Sequence, residues 1–429
     1  MIIALIGMLW IGRLDPKIEI EVESSLKTLD ARVQRDPMIH GHPIVSVTLE
    51  GIELSDELFD SLDSLEHLAT FEIRGIEMTR HHVERISRWT QLRHLLLIDT
   101  ALSGADLASL AGLFELKTLD LSGNHVEKDL GFIERLSSLH DLSLAATAVD
   151  DQSLGSLVLP KDIEKFDISS TRVTDESLAS LAAFPIRELA ANSTMLGGSQ
   201  FKEISRFHSL VSLNLANAGL NDSHLHHLKG LDELRSLALS RNNISAEGVS
   251  GSLPGNLESL NLAGNNLGDS ELVLPLELKA LSLASCELND LKSTNLDRLN
   301  LKYLILDMNP ITDEDLAVLA SSTDLAGLRI ARTRVSGVGL SQIKNPQSLV
   351  MLSVAGNGMF GDAELQSLGR FKRLRMLDIS GTSVSDEGMS SLLSLNHLAA
   401  LNVQDTEVTS DGLEILDALT LLTRVQGGR

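Results

Sequence analysis

Cysteine occurs once in this 429-residue chain, at Cys286, so no internal disulfide can form. Aromatic residues are 3% of the total, which leaves aliphatic side chains, leucine above all, to carry the core. Cations are outnumbered, 36 Lys and Arg against 59 Asp and Glu, giving a net charge of −23. That balance argues against nucleic acid and against anionic membrane surfaces, and favours solubility. The acidic residues are interspersed with leucines, so they do not form a disordered acidic tail. No G-x-x-x-x-G-K-[ST], G-x-S-x-G, H-E-x-x-H or paired C-x-x-C occurs, and nothing calls for a cofactor.

Long apolar runs are also scarce. The strongest, Met1–Gly12 (MIIALIGMLWIG), falls short of the ~20 residues of a spanning helix and lacks a basic n-region. It reads as the tail of a membrane anchor, as an uncharged signal-like segment, or as an apolar element packed on the end of the fold. The first two place the chain at a membrane or outside the cytoplasm. Residues 15–42 follow. Ile18, Ile20 and Val22 alternate with glutamates, which predicts a strand, and Leu26, Leu29 and Val33 predict a short helix after it.

What is abundant is a repeat. Its clearest copy is Leu374–Leu398, LRMLDISGTSVSDEGMSSLLSLNHL. The unit has a short strand (Leu374, Leu377, Ile379), a small polar residue (Thr382), an apolar residue (Val384), then Asp386 before a run at helical spacing (Met389, Leu392, Leu395). The residue matching Leu377 recurs from Val47 through Phe71, Leu95 and onward to Leu401 and Val425, with a mean spacing of about 23.6 residues. Alternating side chains put the leucines of L-x-L inward, and stacked strands form a parallel sheet. No repeat buries its leucines alone, so stability comes from neighbours. Pro160, Pro185, Pro254 and Pro275 end convex segments, and the Leu260–Leu281 step is short, which predicts extended or single-turn segments there.

The L-x-x-L-x-L strand with its VSDEGMSSL and VTDESLASL forms resembles the leucine-rich-repeat superfamily, in its ribonuclease-inhibitor-like and F-box-associated subclass of bacterial repeat proteins. The resemblance covers residues 43–429. It implies an α/β solenoid curved into a horseshoe, with a parallel sheet on the concave face and about 16 repeats of 23–24 residues. Short helices or extended segments would line the convex face. The expected organisation is residues 1–14 as the apolar segment, 15–42 as a cap or linker, and 43–429 as the solenoid. The resemblance also implies a non-enzymatic, protein-binding scaffold using the concave face. The alternative is an adaptor or effector subunit working with a separate catalytic chain.

Recurring polar residues have structural readings. The Thr382 slot is filled by Thr100, Asn124, Thr147, Asn242, Asn265, Asn309 and Asn357 elsewhere, and by Cys286, all suited to satisfying backbone groups as the chain leaves the strand. Asp151, Asp222, Asp269, Asp313, Asp362, Asp386 and their equivalents precede the convex run and are expected as helix N-caps rather than calcium ligands. His224, His226 and His227 are expected on a solvated convex face, without the further ligands zinc needs. Arg80, His81, His82, Arg85 and Arg88 form the one basic stretch and are also expected on a solvated helix face, with Trp89 in the core.

The outward strand positions separate two regions. In the middle they are mostly Ser, Ala and Asn, as at Ser236, Ala238, Ser259 and Asn261. Near the N-terminus Glu72, Arg74, His94, Leu96, Ile98 and Asp120 group apolar and charged side chains on adjacent strands. Leu96 and Ile98 should face solvent, because Leu95 and Leu97 fill the core positions. Exposed apolar residues ringed by charge mark a partner site. Tyr303, Met351 and Met376 are a second, weaker candidate. The last apolar set, Leu413, Leu416 and Leu419, is followed only by Leu422 and Val425, so an uncovered edge is expected there.

Overall fold

Leucines at the inward strand positions, each fully buried against the next copy, build the structure, a computed structural model that describes residues 16–29, 31–39, 41–268 and 270–428. The apolar run 1–12 and Asp269 lie outside them. The chain divides into two compact units, Met1–Thr194 and Met195–Arg429.

The first unit holds β1 (Arg32–Arg35), β2 (Ile44–Glu50), β3 (Thr70–Arg74), β4 (His94–Ile98), β5 (Thr118–Asp120), β6 (Asp141–Ser143), β7 (Lys165–Asp167) and β8 (Glu188–Ala190). From β2 to β8 each strand pairs in parallel with its successor, Val47 opposite Phe71, Phe71 opposite Leu95, Leu95 opposite Leu119. The second unit holds β9 (Ser212–Asn214), β10 (Ser236–Ala238), β11 (Ser259–Asn261), β12 (Ala280–Ser282), β13 (Tyr303–Ile305), β14 (Gly327–Arg329), β15 (Met351–Ser353), β16 (Met376–Asp378), β17 (Ala400–Val403) and β18 (Arg424–Gly427). These too pair in sequence, and the short Leu260–Leu281 step keeps its register. Each such leucine, fully withdrawn from water, stabilises its stack by roughly 1.5–3 kcal/mol.

The convex segments follow their sequence. Among the described residues the repeat carrying Pro275 has no helix between β11 and β12, and an isolated bridge runs from Leu272 to Thr294. Where Ser or Thr precedes an acidic turn, a single-turn helix forms, as at Asp386–Met389 behind its cap Ser385.

The N-terminal stretch corrects the expected order. Residues Pro16–Thr28 form a helix, α1, and Arg32–Arg35 form the strand β1. Val22 and Leu26, one helical turn apart, are buried together, while Ile20 is exposed, so the inward face has the helical rather than the alternating period. β1 then pairs antiparallel with β2, and Arg35 reaches Glu23 of α1 at 2.7 Å. At the other end, Leu416 and Leu419 are buried, whereas Leu421 is half exposed and so is Val425, which lines a groove of about 440 Å3 with Leu413 and Leu422.

Two polar ladders hold the repeats. Asn124 accepts from the Thr100 and Leu102 amides and donates to the Leu97 and Leu121 carbonyls, bridging two repeats at once. Asn242, Asn265 and Asn309 repeat the pattern. Cys286 stands in the same ladder, buried, donating to the Leu262 carbonyl at 3.3 Å, and burial pushes its thiol up to about 11.

Among the described residues the aspartates of this slot are not the caps, which corrects the sequence reading; the one carboxylate cap nearby is Asp150, one residue earlier, accepting from the Ser153 amide at 2.9 Å. Ser336, Ser385 and Thr409 are the caps, and the aspartate one residue further on, or its equivalent, reaches forward to the next repeat. Asp313 accepts from the Ser336 amide and hydroxyl at 2.7 Å each, Asp362 does the same with Ser385, and Asp386 with Thr409. Stacking places the next cap's N–H and O–H one strand spacing away, a stronger draw for a carboxylate than a helix end already capped.

Candidate functional site

β2 to β5 place the candidate residues. Along each strand one parity is buried: Val47 and Leu49, Phe71 and Ile73, Leu95 and Leu97, Leu119 and Leu121. The other parity faces outward, and the register lines it up in rows. Thr48, Glu72, Leu96 and Asp120 form one row, Thr70, His94 and Thr118 a second, and Arg74 and Ile98 a third. All six residues picked from the sequence therefore meet on one sheet face of the first unit.

Their chemistry is mutual. Glu72 pairs with Arg74 and accepts from the Thr48 hydroxyl at 3.3 Å. His94 Nδ1 lies 3.0 Å from the Thr118 hydroxyl, and Asp120 accepts from the Ser122 amide at 2.9 Å. Leu96 sits between Glu72 and Asp120 in its row. Leu96 and Ile98 are half-buried rather than fully exposed, because bulky neighbours on both flanking strands cover their edges. A groove of about 520 Å3 runs along the N-terminal edge of the same strands, lined by Gln34, Arg35, Thr70, Arg93 and His94 among others.

The basic stretch is solvated in part: Arg80, His81 and Arg88 are exposed, as expected, while His82 is half-buried and Arg85 is buried. Arg85 is buried between helices α2 (Asp56–Asp63) and α3 (Arg80–Ile86), donating to Asp60 at 2.7 Å and Asp63 at 2.6 Å, above the Phe59 ring. Those hydrogen bonds, Asp60 first, raise its already high pKa. Trp89 is in the core, as expected, and donates its indole N–H to Asp63 at 2.6 Å. His82 stacks on Phe59 at 5.2 Å, and burial lowers its pKa. In the second unit His224 and His227 lean on Phe201, half-buried, and His226 is exposed. Among the described residues no group of three or more His, Cys, Asp and Glu is placed to hold a metal ion.

The outward face of β13 to β18 carries features that residue types alone did not reveal. Arg329 pairs with Asp307 at 2.9 Å, and Tyr303 lies flat across Gly327, where a β-carbon would come within 2.7 Å of the ring. A cavity of about 260 Å3 lies over Met351, Met376, Ala400 and Arg424. Aligning outward strand positions by repeat would have shown the Tyr–Gly juxtaposition.

Four segments, residues 234–251, 256–270, 299–320 and 374–393, match the family model described as Leucine Rich repeat. The chain is 26% identical over 284 residues to Transforming growth factor beta activator LRRC33 of Danio rerio, covering 65% of this chain and 36% of that protein. It is 25% identical over 303 residues to Podocan-like protein 1 of Homo sapiens, covering 68% of this chain and 53% of that protein. It thus spans about a third and about half of the lengths of these relatives. The solved TLR13–ssRNA13 complex superposes with a TM-score of 0.56 at 18% identity, over 92% of this chain and 65% of that one. The chain is built of leucine-rich repeats, and its fold is the leucine-rich-repeat solenoid.

Proposed function

We propose that the chain is a non-enzymatic scaffold that binds a protein partner through the concave face of its first unit, with Glu72, Arg74, His94, Leu96, Ile98 and Asp120 as the contact surface. One observation carries this reading: Leu96 and Ile98 are aliphatic at strand positions that face away from the core, enclosed by paired charges. Leucines spent outside a core that already holds Leu95 and Leu97 gain nothing for the stack unless something covers them. The charged rim supplies orientation and the aliphatic centre supplies affinity. The repeat relatives fit such a role, and the net charge of −23 counts against nucleic acid as the partner.

The reading extends to the organisation. Residues 15–42 act as the N-terminal cap and 43–429 as the binding solenoid, of the ribonuclease-inhibitor-like type suggested by VSDEGMSSL. Residues 1–12 tether it to a membrane. Among the described residues no helix is long and apolar enough to cross one, and residues 1–12 lie outside that set.

The test is Leu96→Asp in the full chain. The protein captured by the unsubstituted chain should be lost, and thermal unfolding should be unchanged. Capture that survives together with a lowered Tm would make Leu96 a packing residue and sink the reading.

A further inference from the structure

We propose that the outward face of β13 to β18 is a second binding site, and that its ligand is an extended peptide carrying an aliphatic side chain with Asp or Glu two or three residues away.

The strand register sets out the floor. One row runs Tyr303, Gly327, Met351, Met376, Ala400, Arg424; the next runs Ile305, Arg329, Ser353, Asp378, Asn402, Gln426. Tyr303 is 51% exposed and Met376 is 40% exposed, following β9 to β12, whose outward positions are Ser, Ala and Asn. Gly327 lets the Tyr303 ring lie down on the sheet, presenting its face and leaving its hydroxyl free to reach a ligand. Ala400 leaves a step beside Met376, and the 260 Å3 cavity sits there. That volume suits one side chain, being below the ~300 Å3 at which drug-sized ligand pockets begin. Two methionines make an adaptable wall, and a tyrosine makes a rigid anchor.

The charges identify the rest of the ligand. Over the whole chain acids outnumber bases, 59 to 36. Around this face the order is reversed: Arg329 and Arg424 stand in the outward rows, Lys302 and Arg375 directly precede β13 and β16 at the strand edge, and the carboxylates are Asp307 and Asp378. Both carboxylates are occupied. Asp307 holds Arg329, and Asp378 accepts from Ser380 and Ser353. Among the described residues no ion pair joins Arg375 or Arg424 to a carboxylate, and the carboxylate that Lys302 acts on, Glu258, is already paired with Lys279. A local excess of cations in an acidic protein selects an anionic ligand. Arg424 lies two strands from Met376, about 10 Å at the spacing of a sheet. An extended peptide covers that distance in about three residues. The Asn402 and Gln426 side chains, in the second row, can meet its backbone. The site therefore reads aliphatic and acidic groups together, not charge alone.

The experiment selects a random linear peptide library displayed on phage against the full chain. Blocked synthetic versions of the winners are then measured by fluorescence anisotropy. The selected peptides should share an aliphatic residue followed or preceded at short range by Asp or Glu. Arg424→Glu should weaken them by about tenfold or more, and Gly327→Ala, which lifts Tyr303, by several-fold, with unfolding curves unchanged. Arg375→Glu serves as a second charge reversal if the first perturbs β18. Leu96→Asp should leave peptide binding intact, which separates this site from the surface on the first unit. Selection of basic peptides, equal binding by polyglutamate lacking the aliphatic residue, indifference to both charge reversals, or loss of binding in Leu96→Asp would each overturn the proposal.

Discussion

In the first unit α2 and α3 are joined by Arg85, which binds Asp60 and Asp63 and lies over the Phe59 ring, itself stacked with His82 and Trp89. In the second unit the equivalent joints are small. Asp362 binds the cap Ser385, and Gly388 lies so close that a β-carbon there would run into the Asp362 carboxylate. Asp222 with Gly248, Asp313 with Gly339 and Asp386 with Gly412 repeat the arrangement. Asp151 shows the intermediate form, with Ser177 in the glycine position donating its hydroxyl. The strands differ in parallel: β2 has seven residues and β3 and β4 five each, against three for β9 to β16. Interior ladders constrain every repeat alike, so variation falls on the convex joints and on the outward strand positions. At β2 to β4 a bulky joint goes with long strands and bulky outward residues, and at β9 and β10 the minimal Asp222–Gly248 joint goes with a small-residue floor; at β14 to β16 minimal joints stand behind bulky outward residues, so joint and floor vary independently. The two proposed binding surfaces are where outward bulk returns.

The sharpest way to break this comparison is Gly388→Ala. Helix propensity alone would favour Ala by about 1 kcal/mol. The joint reverses the sign: the new methyl displaces a carboxylate held by two hydrogen bonds and meets Leu365, so a loss of about 1–3 kcal/mol is expected in urea unfolding. Adding Asp362→Ala should recover part of that loss; strict additivity would show that the two do not form one joint. Next is Arg85→Met in the first unit, expected to cost about 2 kcal/mol through the hydrogen bonds lost to Asp60 and Asp63 and the lost cation over the Phe59 ring, with Arg88→Met near zero. Equal effects of the two would dissolve the contrast.

A smaller effect separates the joints by pH. The Thr409 amide, then its hydroxyl, hold the Asp386 carboxyl below the ordinary carboxylate range. A depressed folded-state value means that the contribution is complete above the unfolded value and fades as pH falls through the folded one. Urea midpoints of the unsubstituted chain and Asp386→Asn should therefore differ at neutral pH and converge in acid. A gap that persists unchanged in acid would assign the difference to shape rather than charge. The least perturbing probe is Cys286, whose thiol, buried and pushed up to about 11, should react with iodoacetamide at pH 8 no faster than the second unit opens. Rapid labelling of folded protein would show that the ladder is loose there.

Periodicity alone determined the repeat, the inward leucines, the polar ladder through Asn124, Asn309 and Cys286, the core place of Trp89, and, among the described residues, the segment without a helix at Pro275. These follow from a side chain's position within one repeat, and every repeat gives the same answer. Tertiary structure decided the rest. Asp386 looks like a cap until stacking brings Thr409 beside it. Arg85 looks solvated until Asp60 and Asp63, more than twenty residues earlier, close on it. Ile20 alternates like a strand residue until Val22 and Leu26 turn inward together. The six residues of the first surface were each legible as outward-facing. Their rows, and the ring of Tyr303 on Gly327, depend on which repeat lies next to which and in what register. Hydrogen bonds and close approaches between repeats join residues far apart in the chain, so no local pattern records them.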